Sequence, residues 1–245
     1  MKNILIIGAN SAIAQECAKI WTKRDEKLYL VARDQEKLEE FTKNLIRINN
    51  KPIKTFCFDF NNLDEHVQML NEVEKEFENI DLVLIAHGTL LDQVECQTNV
   101  EMAITEIKNN AISTISMLTH LANRFEKKKK GTLAIISSVA GDRGRASNYV
   151  YGSSKAMVTT FASGLRQRLS KFNIKVLTIK LGLVDTPMTS KFKKNFLWSD
   201  PKNVAKKIIS SIDNSKDEVY IPKFWYLIFV VIKLLPDSIF KRLKF

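Results

Sequence analysis

Residues 137–155 read SSVAGDRGRASNYVYGSSK, and this segment sets the architecture of the chain. It follows an apolar run at 133–136 that predicts a buried strand, and it leads into an apolar pattern at spacings of three and four that predicts a helix. Tyr151 and Lys155 lie four residues apart near the start of that helix, so they project from one face. Ser138 lies just past the strand, at the edge where open α/β sheets bind ligands. A hydroxyl, a phenol and an ammonium can therefore meet there.

These three side chains suit proton transfer to or from a carbinol oxygen. A tyrosine with a pKa of about 10 is a poor acid or base near neutrality, but a neighbouring cation favours the phenolate and lowers the pKa. Lys155 can supply that cation, and Ser138 can hydrogen-bond the reacting oxygen. Tyrosine and lysine at this spacing occur on many helices, so the pair indicates catalysis only together with the serine and a nucleotide-binding turn.

That turn is predicted at the amino terminus, where a buried strand at 2–7 leads through GANSAIA, residues 8–14, into a helix at 11–23. Small residues at positions 8, 12 and 14 let a backbone approach a pyrophosphate at the helix amino terminus. Only the first is glycine, so a tight connection with small residues chosen for packing stays open as an alternative. The cofactor contacts predicted from this turn are Gly8, Asn10, Ser11, Ala12 and Ile13.

The end of the second predicted strand, 28–31, indicates which cofactor is bound. An acidic residue there accepts a hydrogen bond from a ribose 2′-hydroxyl, whereas an arginine accommodates a 2′-phosphate. The strand is followed by Ala32, Arg33 and Asp34, so the sequence favours NADP(H) over NAD(H). The alternative is a helix-capping Asp34 beside a solvated Arg33.

The remaining periodicity predicts alternating strands and helices. Strands are expected at 53–58, 82–85 and 175–180. Helices are expected at 35–48, at 63–77, where apolar residues form an inward stripe, and at about 100–125, with Asn110 near the middle. A further helix is expected to begin at Asp200-Pro201. The helix that carries Tyr151 has a predicted inward stripe of Met157, Phe161, Leu165, Leu169 and Phe172. This alternation predicts an α/β fold with a doubly wound, mostly parallel sheet and helices on both faces.

Three further segments follow the strands. His87, after the strand at 82–85, is predicted to face the cofactor or to be structural, because the tyrosine already supplies the general base. The loop 181–188 could cover a nicotinamide, with Thr186 available to hydrogen-bond its amide. The segment 191–198 is basic and aromatic, which is typical of a substrate cleft and equally of a partly ordered lid.

Composition limits the other classes of function. The chain of 245 residues shows no Pro/Gly/Ser-rich linker or repeat, so we expect one domain at 1–222 with an apolar and basic tail at 223–245. Cys17, Cys57 and Cys96 are widely spaced and odd in number, which argues for a reducing compartment without disulfides or a metal cluster. We therefore expect no metal site.

The net charge of +11 indicates anionic partners: a phosphorylated cofactor, a phosphorylated substrate or a membrane surface. No nucleic-acid-binding motif accompanies the charge, so no nucleic-acid partner is expected. The apolar run at 4–7 is too short for an export signal and leads straight into a glycine turn. The expected location is the cytoplasm, with the inner face of the membrane left open.

With these motifs in place, the chain resembles the short-chain dehydrogenase/reductase family over about residues 2–222. The resemblance implies a Rossmann-type sheet of about seven strands, a nicotinamide cofactor and a catalytic tetrad that falls on Asn110, Ser138, Tyr151 and Lys155. In that family the tyrosine is the proton donor or base, and the lysine binds the nicotinamide ribose. The serine positions the substrate oxygen, and the asparagine holds a water in the proton relay.

The same resemblance implies further cofactor contacts and marks three departures. The implied contacts outside the turn and the tetrad are Arg33, Asp59, Phe60, Ala86, His87, Gly88, Val184 and Thr186, with Asp59 next to the adenine and Thr186 beside the carboxamide. Ala12 and Ala14 replace two turn glycines, Ile-Ala-His-Gly at 85–88 replaces Asn-Asn-Ala-Gly, and Leu181-Gly182 replaces Pro-Gly. These departures bear on cofactor geometry and affinity more than on activity.

A narrower resemblance is carried by GANSAIA, by AHGTL at 86–90, by VAGDRGR at 139–145 and by the tail. Together they are similar to bacterial reductases akin to decaprenylphosphoryl-2-keto-ribose reductase. That resemblance implies a carbonyl substrate carried on a polyprenyl phosphate, a 2-keto-pentose, and a flavin oxidase partner. No residue of the sequence by itself indicates that the sugar is a pentose.

The tail has physical properties of its own. Residues 224–235 are apolar except for Lys233, and Lys223, Lys241, Arg242 and Lys244 flank them. Twelve residues are too few to span a bilayer, which needs about twenty. A membrane interface or a second subunit in a homo-oligomer can cover such a helix. Two alternatives for the whole chain stay open: a soluble reductase of a small ketone or acyl substrate, and a non-catalytic nucleotide-sensing protein.

Overall fold

The protein, described by a computed structural model over residues 1–243, is built on one parallel sheet. Lys244, which the sequence places among the basic tail residues, lies outside the described residues. The strands are β1 (Asn3–Ile7), β2 (Lys27–Ala32), β3 (Lys54–Cys57), β4 (Leu82–Ile85), β5 (Gly131–Ser138), β6 (Ile174–Leu181) and β7 (Glu218–Ile221). Their order in the sheet is β3-β2-β1-β4-β5-β6-β7, and every pair is parallel.

Ten α-helices surround this sheet within the described residues. They are α1 (Ala12–Lys23), α2 (Gln35–Asn49), α3 (His66–Glu76), α4 (Gln93–Thr98), α5 (Val100–Ile107), α6 (Ser113–Lys128), α7 (Tyr149–Leu169), α8 (Pro201–Asp213), α9 (Phe224–Leu234) and α10 (Asp237–Phe240). Helices α1, α2 and α8 pack on one face, and α3, α6 and α7 on the other. This arrangement confirms the predicted doubly wound α/β fold.

The alternation of side chains along β1 shows why both faces need cover. Ile4 and Ile6 point into the core beneath α1 and α8, whereas Leu5 and Ile7 point into the core beneath α6 and α7. Successive strand residues face opposite sides, so a strand that is apolar at every position must be buried on both. The chain runs outward from β1 to β3 and returns with β4 on the other side of β1, so a crevice lies where β1 and β4 end.

Two predicted helix starts are confirmed by their caps. Asp200 accepts hydrogen bonds from the backbone of Lys202 and Asn203 at 2.8 and 3.2 Å, and Pro201 occupies the first turn of α8. Asp34 caps α2 by accepting from the amide of Lys37 at 3.1 Å. Each cap satisfies amides that the helix itself leaves without partners.

The long helix predicted at 100–125 is interrupted. Residues Lys108–Ile112 form a π-turn between α5 and α6, and the short helix α4 precedes them. A π-turn inserts one residue into the helical repeat and rotates the face that follows it. Asn110 lies in the middle of this turn and is fully buried.

The predicted inward stripe of α7 is wrong at its first position, because Met157 is 40% exposed. The buried face contains Val158, Ala162 and Leu165, and nearer its start it contains small residues that apolar periodicity does not reveal. Gly152 is one of these, since a Cβ there would lie 2.7 Å from the carbonyl oxygen of Ala140.

The tail helix α9 packs on the domain by one face only. Trp225, Phe229 and Ile232 are buried against Val139, while the opposite face is open. The open residues are Leu227, Val231 and Leu234, which are 66%, 61% and 77% exposed. Among residues 1–243, no helix is both long enough and apolar enough to cross a membrane.

Arg143 anchors the end of the tail to the loop between β5 and α7. Its guanidinium donates to the carbonyl oxygens of Ile232 and Leu235, the latter at 2.7 Å, and pairs with Asp237 at 2.6 Å. It also lies over the ring of Phe240, 3.8 Å from the centroid. The tail is therefore fixed to the segment that precedes Tyr151.

Candidate active site

The structure brings Ser138, Tyr151 and Lys155 together at the carboxyl edge of the sheet. Ser138 ends β5, and Tyr151 and Lys155 lie in the first two turns of α7. Ser138 hydrogen-bonds Tyr151, accepts from the amide of Ala140 at 3.1 Å and donates to the carbonyl oxygen of Leu181 at 3.3 Å. The Lys155 ammonium lies 5.5 Å from the centre of the Tyr151 ring. Strand end and helix start thus place the three groups as the spacing predicts.

The electrostatics of this group differ from the sequence-based expectation. Burial raises the pKa of Tyr151, the hydrogen bond between Tyr151 and Ser138 lowers it, and the charge of Glu106 raises it again. The expected lowering by Lys155 is therefore wrong for the protein by itself. Burial instead lowers the pKa of Lys155 to about 8, against the opposing effect of Glu106. A lysine with this pKa can exchange its proton near neutral pH.

Asn110 joins the group through the π-turn. Its Nδ2 donates to the carbonyl oxygens of Glu106 and Thr89 at 3.0 and 3.1 Å, and its Oδ1 accepts from the Thr89 amide at 3.2 Å. Gly88 separates Asn110 from Lys155, since a Cβ there would lie 2.5 Å from Asn110 Oδ1 and 3.5 Å from Lys155 Nζ. Asn110 and Lys155 therefore lie on either side of Gly88, and Lys155 lies in turn beside Tyr151, which is hydrogen-bonded to Ser138.

The predicted nucleotide-binding turn lies against the segment after β4. Gly8 has a φ of +83°, and a Cβ there would collide with the backbone of His87. The amides of Gly8 and Ala9 donate to the carbonyl oxygen of Val31 at 2.8 and 3.0 Å. Glycine is thus required at the first turn position both by conformation and by space.

The amino terminus of α1 retains polar groups that a pyrophosphate could use. Ser11 precedes Ala12 and Ile13 without a side-chain capping bond, so the first amides of α1 have no side-chain partner there. Asn10 donates from Nδ2 to the carbonyl oxygen of Asp34 at 2.9 Å, while its Oδ1 is buried without a partner in the described chain. These residues fit a phosphorylated cofactor at the helix amino terminus.

The residues predicted to contact the adenosine half are spread along the neighbouring edge. Arg33 is exposed after β2, and its side chain donates no hydrogen bond to any residue in 1–243. Asp59 accepts from the amide of Asn61 at 3.0 Å. Phe60 is buried and its ring stacks on His87 with centroids 4.7 Å apart, so its side chain contributes to packing.

His87 lies between Ala86 and Gly88 and takes the structural role. Its Nε2 lies 2.9 Å from Ser113 Oγ and 3.3 Å from Thr114 Oγ1. Burial lowers its pKa to about 3, and the charge of Lys155 acts in the same direction. The imidazole stays neutral at working pH and does not supply a general base.

The loop after β6 folds on itself. Val184 is buried and pairs with Ser199 in a short parallel bridge. Thr186 and Thr189 cap the turn between them, with their hydroxyls 3.3 Å apart. The basic and aromatic segment 191–198 follows, and Phe196 is 90% exposed.

Two features of the site were not predicted from the sequence. Glu106 is 1% exposed and accepts from the Thr89 hydroxyl at 2.5 Å. Its signal is an acidic residue in a mostly apolar segment, one helical turn before Asn110. The second feature is Trp225, whose indole fills the space beside Gly182. Within residues 1–243, no group of three or more His, Cys, Asp or Glu side chains is placed to hold a metal ion.

Comparison with known proteins gives a family match. Residues 2–196 match the family model described as short chain dehydrogenase. An uncharacterized oxidoreductase of Mycobacterium tuberculosis is 31% identical over 240 residues, 98% of this chain and 96% of that protein. An uncharacterized oxidoreductase of Streptomyces coelicolor is 28% identical over 243 residues, 99% of this chain and 96% of that protein.

Solved structures share the fold at lower identity. A short-chain type dehydrogenase/reductase from Mycobacterium ulcerans superposes with a TM-score of 0.80 at 19% identity, covering 89% of this chain and 87% of that one. The structure of ElxO with NADP bound gives 0.79 at 22% identity, covering 89% and 96%. Actinorhodin polyketide ketoreductase with NADPH gives 0.78 at 18% identity, covering 89% and 94%.

Proposed function

The chain belongs to the short-chain dehydrogenase family, and from that premise we propose that it is an NADP(H)-dependent oxidoreductase of a carbonyl or secondary-alcohol carbon. The observation that carries the proposal is the chain of contacts from Asn110 across Gly88 to Lys155, and from Lys155 to Tyr151 and Ser138, beside the nucleotide-binding turn. When bound, the nicotinamide supplies or accepts the hydride.

The side chains of this group divide the proton chemistry. Tyr151 holds the proton that reaches the carbonyl oxygen, and its raised pKa keeps the phenol protonated near neutral pH. Ser138 hydrogen-bonds the phenol and so orients it. Lys155 returns the proton to Tyr151, which its pKa of about 8 permits. The side chain of Asn110 is held by two hydrogen bonds with the backbone of Thr89. It lies across Gly88 from Lys155 and so extends the polar group that carries the proton.

The choice of NADP(H) over NAD(H) is supported by Arg33. This guanidinium follows β2 and is exposed, and Asp34 beside it is engaged in capping α2. An arginine at this place pairs with a 2′-phosphate, whereas a free acid would prefer the 2′-hydroxyl. Two of the structures that share the fold contain NADP or NADPH.

We propose a narrower substrate class as well: a keto sugar, a 2-keto-pentose, carried on a polyprenyl phosphate at a membrane surface. The support comes from exposed residues of the tail and of the loop after β6, here called the tail face: the apolar residues Met188, Phe192, Phe196, Leu227, Val231 and Leu234 and the lysines Lys191, Lys193, Lys223 and Lys241. Leu197 and Val139 pack on the buried side of α9, so α9 joins the loop after β6 to the segment that follows Ser138. Lysines beside apolar side chains complement anionic headgroups.

The narrower class implies a partner reaction. The keto group of such a substrate must arise by two-electron oxidation of a sugar hydroxyl, and a flavin oxidase, whose flavin accepts those electrons, is the partner that the resemblance indicates. The experiment is consumption of NADPH and of NADH by the full chain against matched lipid-linked and soluble keto sugars. No consumption with any carbonyl contradicts the proposed activity, and equal rates on soluble ketones contradict the lipid-linked class.

Membrane contact is tested on the open side of α9, because removing the whole tail would also remove Trp225 and Phe229 and so uncover Val139, against which they pack. Leu227→Gln, Val231→Gln and Leu234→Gln are combined, and Ile48→Gln with Val67→Gln serves as the matched control on other helices. We expect the tail variant to lose flotation with anionic vesicles and the control to keep it. The full chain should also bind more weakly as salt rises, since screening acts over about 8 to 10 Å near physiological ionic strength.

A change in oligomer mass in the tail variant would instead assign the tail face to a second copy of the chain. Light scattering on the same samples measures that mass. If the full chain failed to bind vesicles at any salt concentration, that result would also contradict membrane contact. It would remove the physical support for a lipid-linked substrate.

A further inference from the structure

Arg145 is a partly buried cation that the proposed proton chemistry does not use. It lies in the loop between β5 and α7, which connects Ser138 to Tyr151. Its Nε is buried and has no hydrogen-bond partner within residues 1–243. Burial lowers the pKa of the guanidinium, and no carboxylate opposes that effect. The loop before the catalytic tyrosine therefore holds a desolvated charge without a counter-ion in the described chain.

A second arginine of the same loop shows the difference. Arg143 donates to backbone carbonyl oxygens of the tail and pairs with Asp237 at 2.6 Å. Arg145 has an aromatic contact instead, since its guanidinium carbon lies 5.5 Å from the centre of the Phe229 ring. A cation–π contact returns only part of the cost of removing a guanidinium from water. Arg145 thus keeps donors that its own chain does not satisfy.

The guanidinium lies along a wall that leads to the catalytic serine. Phe229 packs on Trp225 with ring centroids 6.1 Å apart, and both are buried against Val139, the residue after that serine. The Trp225 indole occupies the space beside Gly182, at the end of β6. These contacts connect the guanidinium to the carboxyl ends of β5 and β6.

The same wall contains a second donor without an acceptor. Trp225 is 7% exposed, and its Nε1 is buried without a partner in the described chain. On α4, Gln93 accepts from the amide of Val150 at 3.1 Å, while its Nε2 is buried without an acceptor. Buried N–H groups are normally hydrogen-bonded, because an unmade bond costs free energy. A ligand rich in oxygen acceptors would supply what these donors lack.

The phosphates of the cofactor are expected elsewhere. The pyrophosphate is proposed at the start of α1, after β1, and the 2′-phosphate at Arg33, after β2. Arg145 follows β5, and β4 lies between β5 and β1 in the sheet. An anion bound at Arg145 would therefore belong to the substrate.

The simpler alternative is that Arg145 only packs against Phe229. A methionine could cover that ring without a charge to desolvate. The loop is also fixed without the guanidinium, because Arg143 anchors it to the tail and the Asn148 amide donates to the carbonyl oxygen of residue 145 at 3.0 Å. Packing alone therefore does not call for an arginine here.

We propose that Arg145 is a substrate-binding residue, whose guanidinium, together with the Trp225 indole, binds a phosphate group of the carbonyl substrate. A guanidinium presents a planar fork of donors that matches phosphate oxygens. The inference rests on the proposed function for the carbonyl end of that substrate, and it adds the residue that recognises the anionic end. A lipid-linked sugar and a soluble phosphorylated ketone both carry such a group, and the test separates them.

Binding is tested by titrating the full chain with inorganic phosphate and with dimethyl phosphate, with and without NADP⁺. The arginine Nε–H signals are followed by ¹H–¹⁵N NMR, and that of Arg145 is identified by its loss in Arg145→Lys. We expect the Arg145 signal to shift saturably and the signal of Arg47, exposed on α2, to stay in place. An Arg145 signal that neither phosphate moves overturns the proposal. Equal shifts of both arginines would show general screening and would overturn it as well.

Activity supplies the second readout, as consumption of NADPH with matched keto sugars that carry or lack a phosphate ester. Arg145→Gln should raise KM for the phosphorylated substrate by about tenfold or more, with little change in kcat or in the rate on the neutral sugar. Arg145→Lys should give a smaller rise, because it keeps the charge and loses the fork. Arg47→Gln is the control and should behave as the parent. Equal losses on both sugars would indicate a structural role and overturn the proposal.

The phosphorylated arm is run with a lipid-linked sugar and with a soluble sugar phosphate. A rise in KM with the first alone supports a polyprenyl phosphate, and a rise with the second alone supports a soluble phosphorylated ketone. If Arg145→Gln does not fold, the phosphate titration of the parent decides. That titration needs no carbonyl, so a shifted Arg145 signal in a protein without reductase activity would contradict the proposed function and leave the phosphate site intact.

Discussion

Two buried lysines, Lys155 and Lys180, show opposite behaviour in the same domain. They are 4% and 6% exposed, on α7 and at the end of β6. Lys180 pairs with Asp142 at 2.8 Å and Glu218 at 3.1 Å, and donates to the Tyr220 hydroxyl at 3.1 Å. Burial alone would lower its pKa, but these partners raise it well above the usual range. Lys155 has no carboxylate within ion-pair distance in the described chain, and its pKa falls to about 8.

The difference lies in the partners and not in the burial. A lysine that is surrounded by carboxylates has a fixed charge and serves as a structural link. Lys180 links β6 to the loop that holds Asp142, next to the Arg143 that anchors the tail. A lysine that is desolvated without such partners can exchange its proton, which is the property that catalysis requires.

The largest expected effect comes from removing Lys180, the lysine with the structural role. Lys180→Met leaves the buried Asp142 without its cation, so the free energy of unfolding should fall by about 3 to 5 kcal/mol. Urea denaturation measures the loss. A loss below about 1 kcal/mol would mean that the pair is solvated and that the contrast with Lys155 does not hold.

The next effect falls on the catalytic side. Tyr151→Phe removes the transferable proton and keeps the ring, so turnover should fall by about 100-fold or more. NADPH binding, followed by fluorescence, should be largely unchanged because the phenol oxygen is the only group lost. Full activity in this variant would exclude Tyr151 as the proton donor.

Lys155→Met tests whether an unpaired buried lysine destabilises the fold. Because the pKa of Lys155 is about 8 in the folded protein, below the value of 10.5 for a free lysine, the unfolded chain binds more protons between those pH values. The free energy of unfolding should therefore rise with pH across that window, through this group, in the parent protein. The variant should lack that rise and be more stable at pH 7 by about 2 to 3 kcal/mol.

The contribution of Lys180 to the free energy of unfolding should depend on pH in the opposite direction, and the same pH series on Lys180→Met tests this. A lysine with a raised pKa stabilises the fold below its unfolded pKa of about 10.4 and loses that contribution as pH rises through the folded value. The alkaline loss of stability seen in the parent should thus be smaller in the variant. Parallel profiles for the two variants would contradict the assignment of opposite roles.

The smallest expected effect concerns Arg33, whose proposed partner is the 2′-phosphate of the cofactor and not a residue of the chain. Arg33→Asp should lower the ratio of kcat/KM for NADPH to that for NADH by about tenfold or more, since it exchanges a phosphate partner for a hydroxyl acceptor. The exposed Arg47→Asp, on α2, is the control and should leave the ratio unchanged. An unchanged ratio in Arg33→Asp would place recognition of the 2′-phosphate elsewhere.

What the sequence could predict depended on local spacing. Tyr151 and Lys155 are one helical turn apart, and Ser138 ends the adjacent strand, so their meeting follows from the elements themselves. The parallel sheet follows in the same way from the alternation of apolar strands and helices. The family match is to the same family that these motifs resemble.

What could not be predicted depended on contacts distant in sequence. The pKa of Tyr151 rises because the assembled site desolvates it, and no local pattern reports desolvation. Glu106 reaches the site through its hydrogen bond with Thr89, seventeen residues earlier in the chain, and no local pattern reports that contact. The start of α7 buries Gly152 where apolar periodicity indicated Met157 as the inward residue.

The contact between Trp225 and Gly182 has a consequence for how this sequence can diverge. The indole occupies the space that any side chain at position 182 would need. A mutation of Gly182 alone would displace the first turn of α9, whereas the same mutation with a smaller residue at 225 would be tolerated. Over evolutionary time the two positions should therefore change together, and a relative with a residue other than glycine at 182 should have lost the tryptophan.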